Sequence, residues 1–154
     1  MSIEQRLDEL GIQLPAAPKV LGLYQPVLVV DGLAYTSGHG PLKAEGGFVC
    51  GTLGHDLDAK AGAAASRLTG LAMLASLKAE LGSLDRIDRI VKTLGLVQSA
   101  TDFHGHPAVI NGFSELMQQV FGDEAGVGAR SAFGAAALPA GWAVEIEAVF
   151  RIKD

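Results

Sequence analysis

The stretch Ala129-Arg130-Ser131-Ala132-Phe133-Gly134-Ala135-Ala136-Ala137-Leu138-Pro139-Ala140-Gly141-Trp142-Ala143-Val144-Glu145-Ile146-Glu147-Ala148-Val149-Phe150-Arg151-Ile152 reads as two strands and a turn. Ser131 to Ala137 is the first strand and Ala143 to Ile152 the second, joined at Leu138-Pro139-Ala140-Gly141. The second alternates: Val144, Ile146, Ala148, Phe150 and Ile152 point one way, and Ala143, Glu145, Glu147, Val149 and Arg151 the other. A period of two with one apolar set marks a strand that covers a core with one face. Glutamates on the other face of an edge strand are ordinarily solvated, but a carboxylate beside a pocket can orient water or move a proton.

Upstream, Gly126-Val127-Gly128-Ala129 delivers Arg130 to the start of its strand. Arginine's planar fork holds a carboxylate or phosphate through two parallel hydrogen bonds, although a surface arginine is the commoner case. Before this loop, Pro107 opens a helix with Val109, Phe113, Leu116, Met117 and Val120 inward, ending at Gly122. Ile87 to Ser99 is a long strand, apolar on both faces at its centre, as an inner strand should be. An earlier helix runs from a cap at Asp56 or Asp58 to about Leu81, with Gly82 at its end. Phe48 to Leu53 reads as another strand. Val27–Val30 and Leu33–Ser37 flank Asp31-Gly32, the strongest local hairpin signal. Ser2 caps a short helix to Leu10, stopped by Gly11. Two main helices among six strands give an α+β fold, a six-stranded mixed sheet with both helices on one face. Its other face then needs covering by further subunits.

At 154 residues the chain is one domain's worth, read as an N-terminal helical extension (1–19) and a single domain (20–154). Charged residues are only 19% and apolar residues 49%, a balance that favours a homo-oligomer. The net charge of −5 and the lack of a basic stripe argue against nucleic acid as a partner. No apolar run is long enough to span a membrane, and no signal peptide is indicated, so a cytoplasmic location is expected. The single cysteine, Cys50, fits a reducing compartment and is expected to be a buried strand residue. His104 and His106 are the only pair spaced for a metal; no nearby Cys, Asp or Glu completes a ligand pattern, so no metal or cofactor is expected. His39, between Gly38 and Gly40, is placed to line a pocket, whereas His55 is expected beside a helix start.

Gly22-Leu23-Tyr24, Ala34-Tyr35-Thr36-Ser37-Gly38, Val109-Ile110-Asn111, Ala129-Arg130-Ser131, and Leu138-Pro139 with Val144-Glu145-Ile146-Glu147-Ala148 follow a recognisable order and spacing. From about residue 20 to 152 the sequence resembles the YjgF/RidA family, also labelled endoribonuclease L-PSP. The last two blocks are the specific part. The likeness is strongest to a branch with an N-terminal extension. This resemblance implies a chorismate-mutase-like fold and a homotrimer with a central barrel, its pockets lying between subunits. It also implies metal-free hydrolysis of reactive 2-imino or 2-enamino acids to 2-oxo acids and ammonia. On that basis Arg130 would grip a substrate carboxylate and Glu145 would position the attacking water. Tyr24, Ser37, Gly38 and Asn111 would line the cleft, with the backbone of Ala132 touching the ligand; Glu147 would be structural. Ala132 stands where the family usually has cysteine, His39 where glutamine is common, and Phe150 where a smaller residue is usual. Two other functions are weighed: a non-catalytic trimer that binds small carboxylates such as 2-oxo acids, and RNA cleavage, which the acidic balance argues against.

Overall fold

In the computed structural model, which describes residues 1–154, local signals and element boundaries coincide closely. Helix α1 (Ile3–Glu9) begins with a reciprocal cap: the Gln5 N–H donates to Ser2 Oγ, and the Ser2 N–H donates to Gln5 Oε1. Strands β1 (Val27–Val30) and β2 (Leu33–Thr36) form a hairpin across Asp31-Gly32, both at positive φ as this tight turn requires. Asp58 caps α2 (Ala59–Leu81) by accepting from the Ala61 N–H at 2.8 Å, and Gly82 ends it. Strand β3 (Ile87–Gln98) leads to α3 (His106–Ala125), which has Pro107 in its first turn and is broken at Gly122. Strands β4 (Ala129–Ala135) and β5 (Val144–Ile152) follow.

The sheet has five strands in the order β1-β2-β5-β3-β4, not six. Phe48–Leu53 makes only isolated bridges, Phe48 to Leu42, Cys50 to Trp142 and Leu53 to Ser99. Gly51 sits at φ 136°, so the run turns before it can build a ladder. Cys50 is accordingly exposed rather than buried. All pairs are antiparallel except β3 with β4, whose crossover is α3. The last strand, read above as an edge, lies in the middle of the sheet. The edges are β1 and β4.

α2 and α3 pack on one face of this sheet, over Ile146, Ala148, Phe150 and Val97. They approach closely at Gly112, where a Cβ would stand 2.7 Å from the Ala63 carbonyl carbon. Helix α1 joins the same layer. Leu7 is part of the core, the Arg6 Nε–H donates to the Gln119 carbonyl at 2.7 Å, and Lys78 pairs with Glu4 at 2.9 Å. The opposite face carries Leu28, Tyr35 and Val149 in one cross-strand row, with Leu94, Leu96 and Phe133 beyond. Leu28, Tyr35 and Phe133 are 53%, 41% and 50% exposed, a broad apolar surface open to solvent in the single chain. No helix is long and apolar enough to cross a membrane.

Candidate functional site

Arg130 lies opposite Thr93, a buried residue on the helix-covered side of β3. Its side chain therefore runs toward α3. There its Nη1 donates to Asn111 Oδ1 at 2.8 Å and to Ser114 Oγ at 3.2 Å. Asn111 and Ser114 are three residues apart, so one helical turn presents both acceptors on the same face. Both partners are neutral. The chain's ion pairs, His55–Asp56, Lys78–Glu4 and Arg151–Asp88, leave Arg130 without a carboxylate. Its guanidinium is thus held in place with no carboxylate in contact, the state that suits it to receive an anion. It borders a groove of about 390 Å³ that Thr93, Asn111, Ser114, Gln118 and Gly128 also line.

Glu145 sits on β5 opposite Leu96, on the face away from the helices. Beside it, the His39–Ile146 bridge brings in the chain that follows β2, where the His39 N–H donates to the Ile146 carbonyl and the Ile146 N–H to the His39 carbonyl. Gly38 packs directly on the Glu145 carboxyl group: a Cβ there would stand 2.8 Å from Cδ. Partial burial raises the Glu145 pKa above the ordinary carboxylate range, and the nearby charge of Glu147 adds to the effect. A carboxyl group shifted this way is better matched to proton transfer near neutral pH.

Tyr24, Gly38 and His39 wall a small pocket of about 40 Å³, together with Pro18, Phe48 and Trp142. The Ser37 Oγ–H donates to the Gln25 carbonyl at 2.6 Å, so its hydroxyl pins the segment that carries Tyr24. The His39 ring is buried between Ser37 and Ser76. A carbonyl only accepts, so Nδ1 carries the proton and donates to the Ser37 carbonyl at 2.7 Å, and Nε2 accepts from the Ser76 hydroxyl at 2.9 Å. Burial pushes the His39 pKa down, while the bond to the Ser37 carbonyl pulls the other way.

The sequence-predicted residues therefore fall into two groups. Arg130 and Asn111 meet on the helix side, with Ala132 two residues along the same face, half-buried against the core. Tyr24, Ser37, Gly38 and Glu145 gather around the end of β2. Within one chain, Arg130 and Glu145 lie on opposite faces of the sheet, with β3 between their strands. Two contributors escape the sequence reading. Ser114 carries only the signal of lying one turn beyond Asn111, and Trp142 lies in a turn without periodicity. His106 bonds Ser99 Oγ at 3.0 Å, and no cluster of three His, Cys, Asp or Glu side chains forms around it or elsewhere.

A family profile described as "YjgF/chorismate_mutase-like, putative endoribonuclease" matches residues 4–146. Protein TCP17 of Trypanosoma cruzi is 38% identical over 152 residues, spanning 99% of this chain and 95% of its own. A solved structure from Shewanella oneidensis MR-1, described in the same endoribonuclease terms, shares 31% identity with a TM-score of 0.93. That match covers 99% of this chain and all of the other. RidA from the Antarctic bacterium Psychrobacter sp. PAMC 21119 shares 27% identity, a TM-score of 0.61, and 91% and 97% coverage. The α+β fold is thus the chorismate-mutase-like one, nearer in backbone to the Shewanella protein than to RidA. With the profile spanning nearly the whole sequence and relatives matching end to end, the chain belongs to the YjgF/RidA family.

Proposed function

We propose that this protein hydrolyses reactive 2-imino and 2-enamino acids to 2-oxo acids and ammonia without a metal, in clefts between the subunits of a homotrimer. The observation that carries this reading is Arg130: a guanidinium held by two neutral acceptors, with no carboxylate partner. In the assembly we propose, the Arg130–Asn111 half of one subunit meets the half of its neighbour that holds Glu145, Gly38, Ser37 and Tyr24. The apolar open face of the sheet, with Leu28, Tyr35 and Phe133 exposed, supplies a surface for such packing.

Arg130 grips the substrate carboxylate, and the Ala132 backbone contacts the ligand beside it. An enamine first takes a proton on its β-carbon to become the iminium ion. Water then adds to the C=N carbon while Glu145 accepts one of its protons. That proton is returned to the nitrogen, and the carbinolamine expels ammonia as its hydroxyl gives its proton to Glu145, leaving the 2-oxo acid. Holding the two reactants in line accounts for much of the rate gain.

A second reading, a trimer that binds 2-oxo acids without turnover, is favoured by one feature. The Arg130–Asn111–Ser114 cradle and its groove are complete within one chain and need no Glu145. RNA cleavage draws no support from a chain of net charge −5.

The test is to generate 2-aminoacrylate in situ and follow its decay with wild type, with Arg130→Ala and with no protein. Faster decay with wild type alone supports hydrolysis; identical decay in all three overturns it. Sedimentation at working concentration checks the trimer. The binding reading requires that 2-oxobutyrate bind wild type and Glu145→Gln equally, with no turnover in either.

A further inference from the structure

Both hydrogens of the Arg130 Nη1 have an acceptor on α3, one at Asn111 Oδ1 and one at Ser114 Oγ. A guanidinium has five N–H donors in a rigid plane. With Nη1 occupied, three remain, the Nε–H and the two on Nη2. A carboxylate can meet a guanidinium end-on, through one hydrogen from each Nη, or side-on, through the parallel Nε–H and Nη2–H. The end-on edge needs a hydrogen that Nη1 has already given to the helix. The side-on edge is intact, and because Nη1 points at α3, that edge is turned away from the helix.

We infer that Ser114 is a positioning residue: its hydroxyl joins Asn111 in using up Nη1 of Arg130, so that the Nε–Nη2 edge is the one offered to a planar two-oxygen anion. The inference rests on the carboxylate-gripping role proposed for Arg130 and gives that role a direction. In this role Ser114 acts on the ligand through Arg130. Without its hydroxyl, Nη1 regains a free hydrogen, the end-on edge reopens, and the plane is held at a single point by Asn111. Asn111 correspondingly acts first on Arg130, since its side-chain oxygen is spent there at 2.8 Å, and only its amide hydrogens remain for a ligand.

The hold is also suited to a half-buried position. Ser114 and Asn111 are both uncharged, so they orient the guanidinium without neutralising it. A glutamate or aspartate at either place would fix the fork equally well but would compete with the ligand for its charge.

Two measurements on the full-length protein test this. The first is calorimetric titration of 2-oxobutyrate into wild type, Ser114→Ala, Ser114→Thr and Arg130→Ala. Binding by Ser114→Ala should be about tenfold weaker, by Ser114→Thr near wild type, and by Arg130→Ala absent. The second is NMR of the Arg130 guanidinium without ligand. Wild type and Ser114→Thr should show separate Nη1 and Nη2 signals, and Ser114→Ala should show them averaged by faster rotation. Circular dichroism confirms that each variant is folded. Unchanged binding and unchanged guanidinium signals in Ser114→Ala overturn the inference, as do averaged signals in wild type. If wild type binds no 2-oxobutyrate while its signals are separate and those of Ser114→Ala averaged, the carboxylate reading of Arg130 fails instead. The hold by Ser114 then stands.

Discussion

The carboxyl group of Glu145 rests against the bare α-carbon of Gly38, in space that any side chain there would take. Gly38→Ala places a methyl group 2.8 Å from Cδ, and the flexible glutamate rather than the backbone must give way. The fold should survive with little loss of stability. Turnover of 2-aminoacrylate should fall on the order of 100-fold, the usual cost of displacing a reacting group by about 1 Å. Steady-state kinetics beside a thermal melt separates the two effects; normal turnover in a folded Gly38→Ala protein would remove Glu145 from the chemistry.

Glu145 also costs the folded state stability. Its folded pKa is raised above the 4.5 of a free side chain, first by burial and then by Glu147. The folded protein thus holds that proton to higher pH than the unfolded chain does. Stability is lost as pH rises from about 4.5 through the folded value, and the penalty is complete above it. Glu145→Gln should therefore melt higher than wild type at pH 7, by roughly 1–3 °C, with the gap closing near pH 4. Because the group is only half-buried, solvent screening keeps the effect small.

His39 works in the opposite direction. Its folded pKa lies below 6.5 because burial disfavours the imidazolium, so the unfolded chain binds a proton that the native ring resists. Stability is full above about 6.5 and declines as pH falls below it, toward the lower folded value. Urea midpoints across pH 7 to 5 should show this fall in wild type. His39→Gln should be less stable throughout, by about 1–3 kcal/mol for the lost buried bonds, and its midpoint should change less over that range.

Gly112 is where α2 and α3 nearly touch. A methyl group on Gly112 would meet the Ala63 carbonyl, which belongs to helix backbone and cannot swing aside. Gly112→Ala should cost about 3 kcal/mol or more, read as a lowered urea midpoint or loss of soluble protein. An unchanged midpoint would mean that the two helices slide apart freely.

Much of the fold was legible because its signals are local. Asp31-Gly32 selects its turn by backbone conformation, and Asp58 and Gly82 bound α2 through bonds reaching at most four residues. Phe48–Leu53 misleads for the same reason: its residues favour a strand, but a ladder needs a partner in register, and Gly51 turns the chain out of one. Placing the last strand in mid-sheet was beyond local reading, since β5 pairs with β2 and β3, far off in sequence. The site shows the same limit. Alternation tells that Glu145 and Ile146 point opposite ways. Which side of the sheet Arg130 takes depends on the register of β4 with β3, and no pattern within either strand encodes it. Ser114 stayed hidden because a helix serine has many ordinary explanations.

The placement of Arg130 and Glu145 on opposite faces has a genetic consequence if neighbouring copies share a cleft. A chain lacking Arg130 still carries a sound Glu145 surface, and a chain lacking Glu145 still carries a sound Arg130 fork. Each variant alone should then be inactive. Unfolded together and refolded as mixed rings from equal amounts, they should rebuild roughly one working cleft in four, as random cyclic pairing requires. Two null alleles would then rescue each other in one cell, and neither would poison the wild type, because a null chain spoils only the one of its two seams that needs the missing residue.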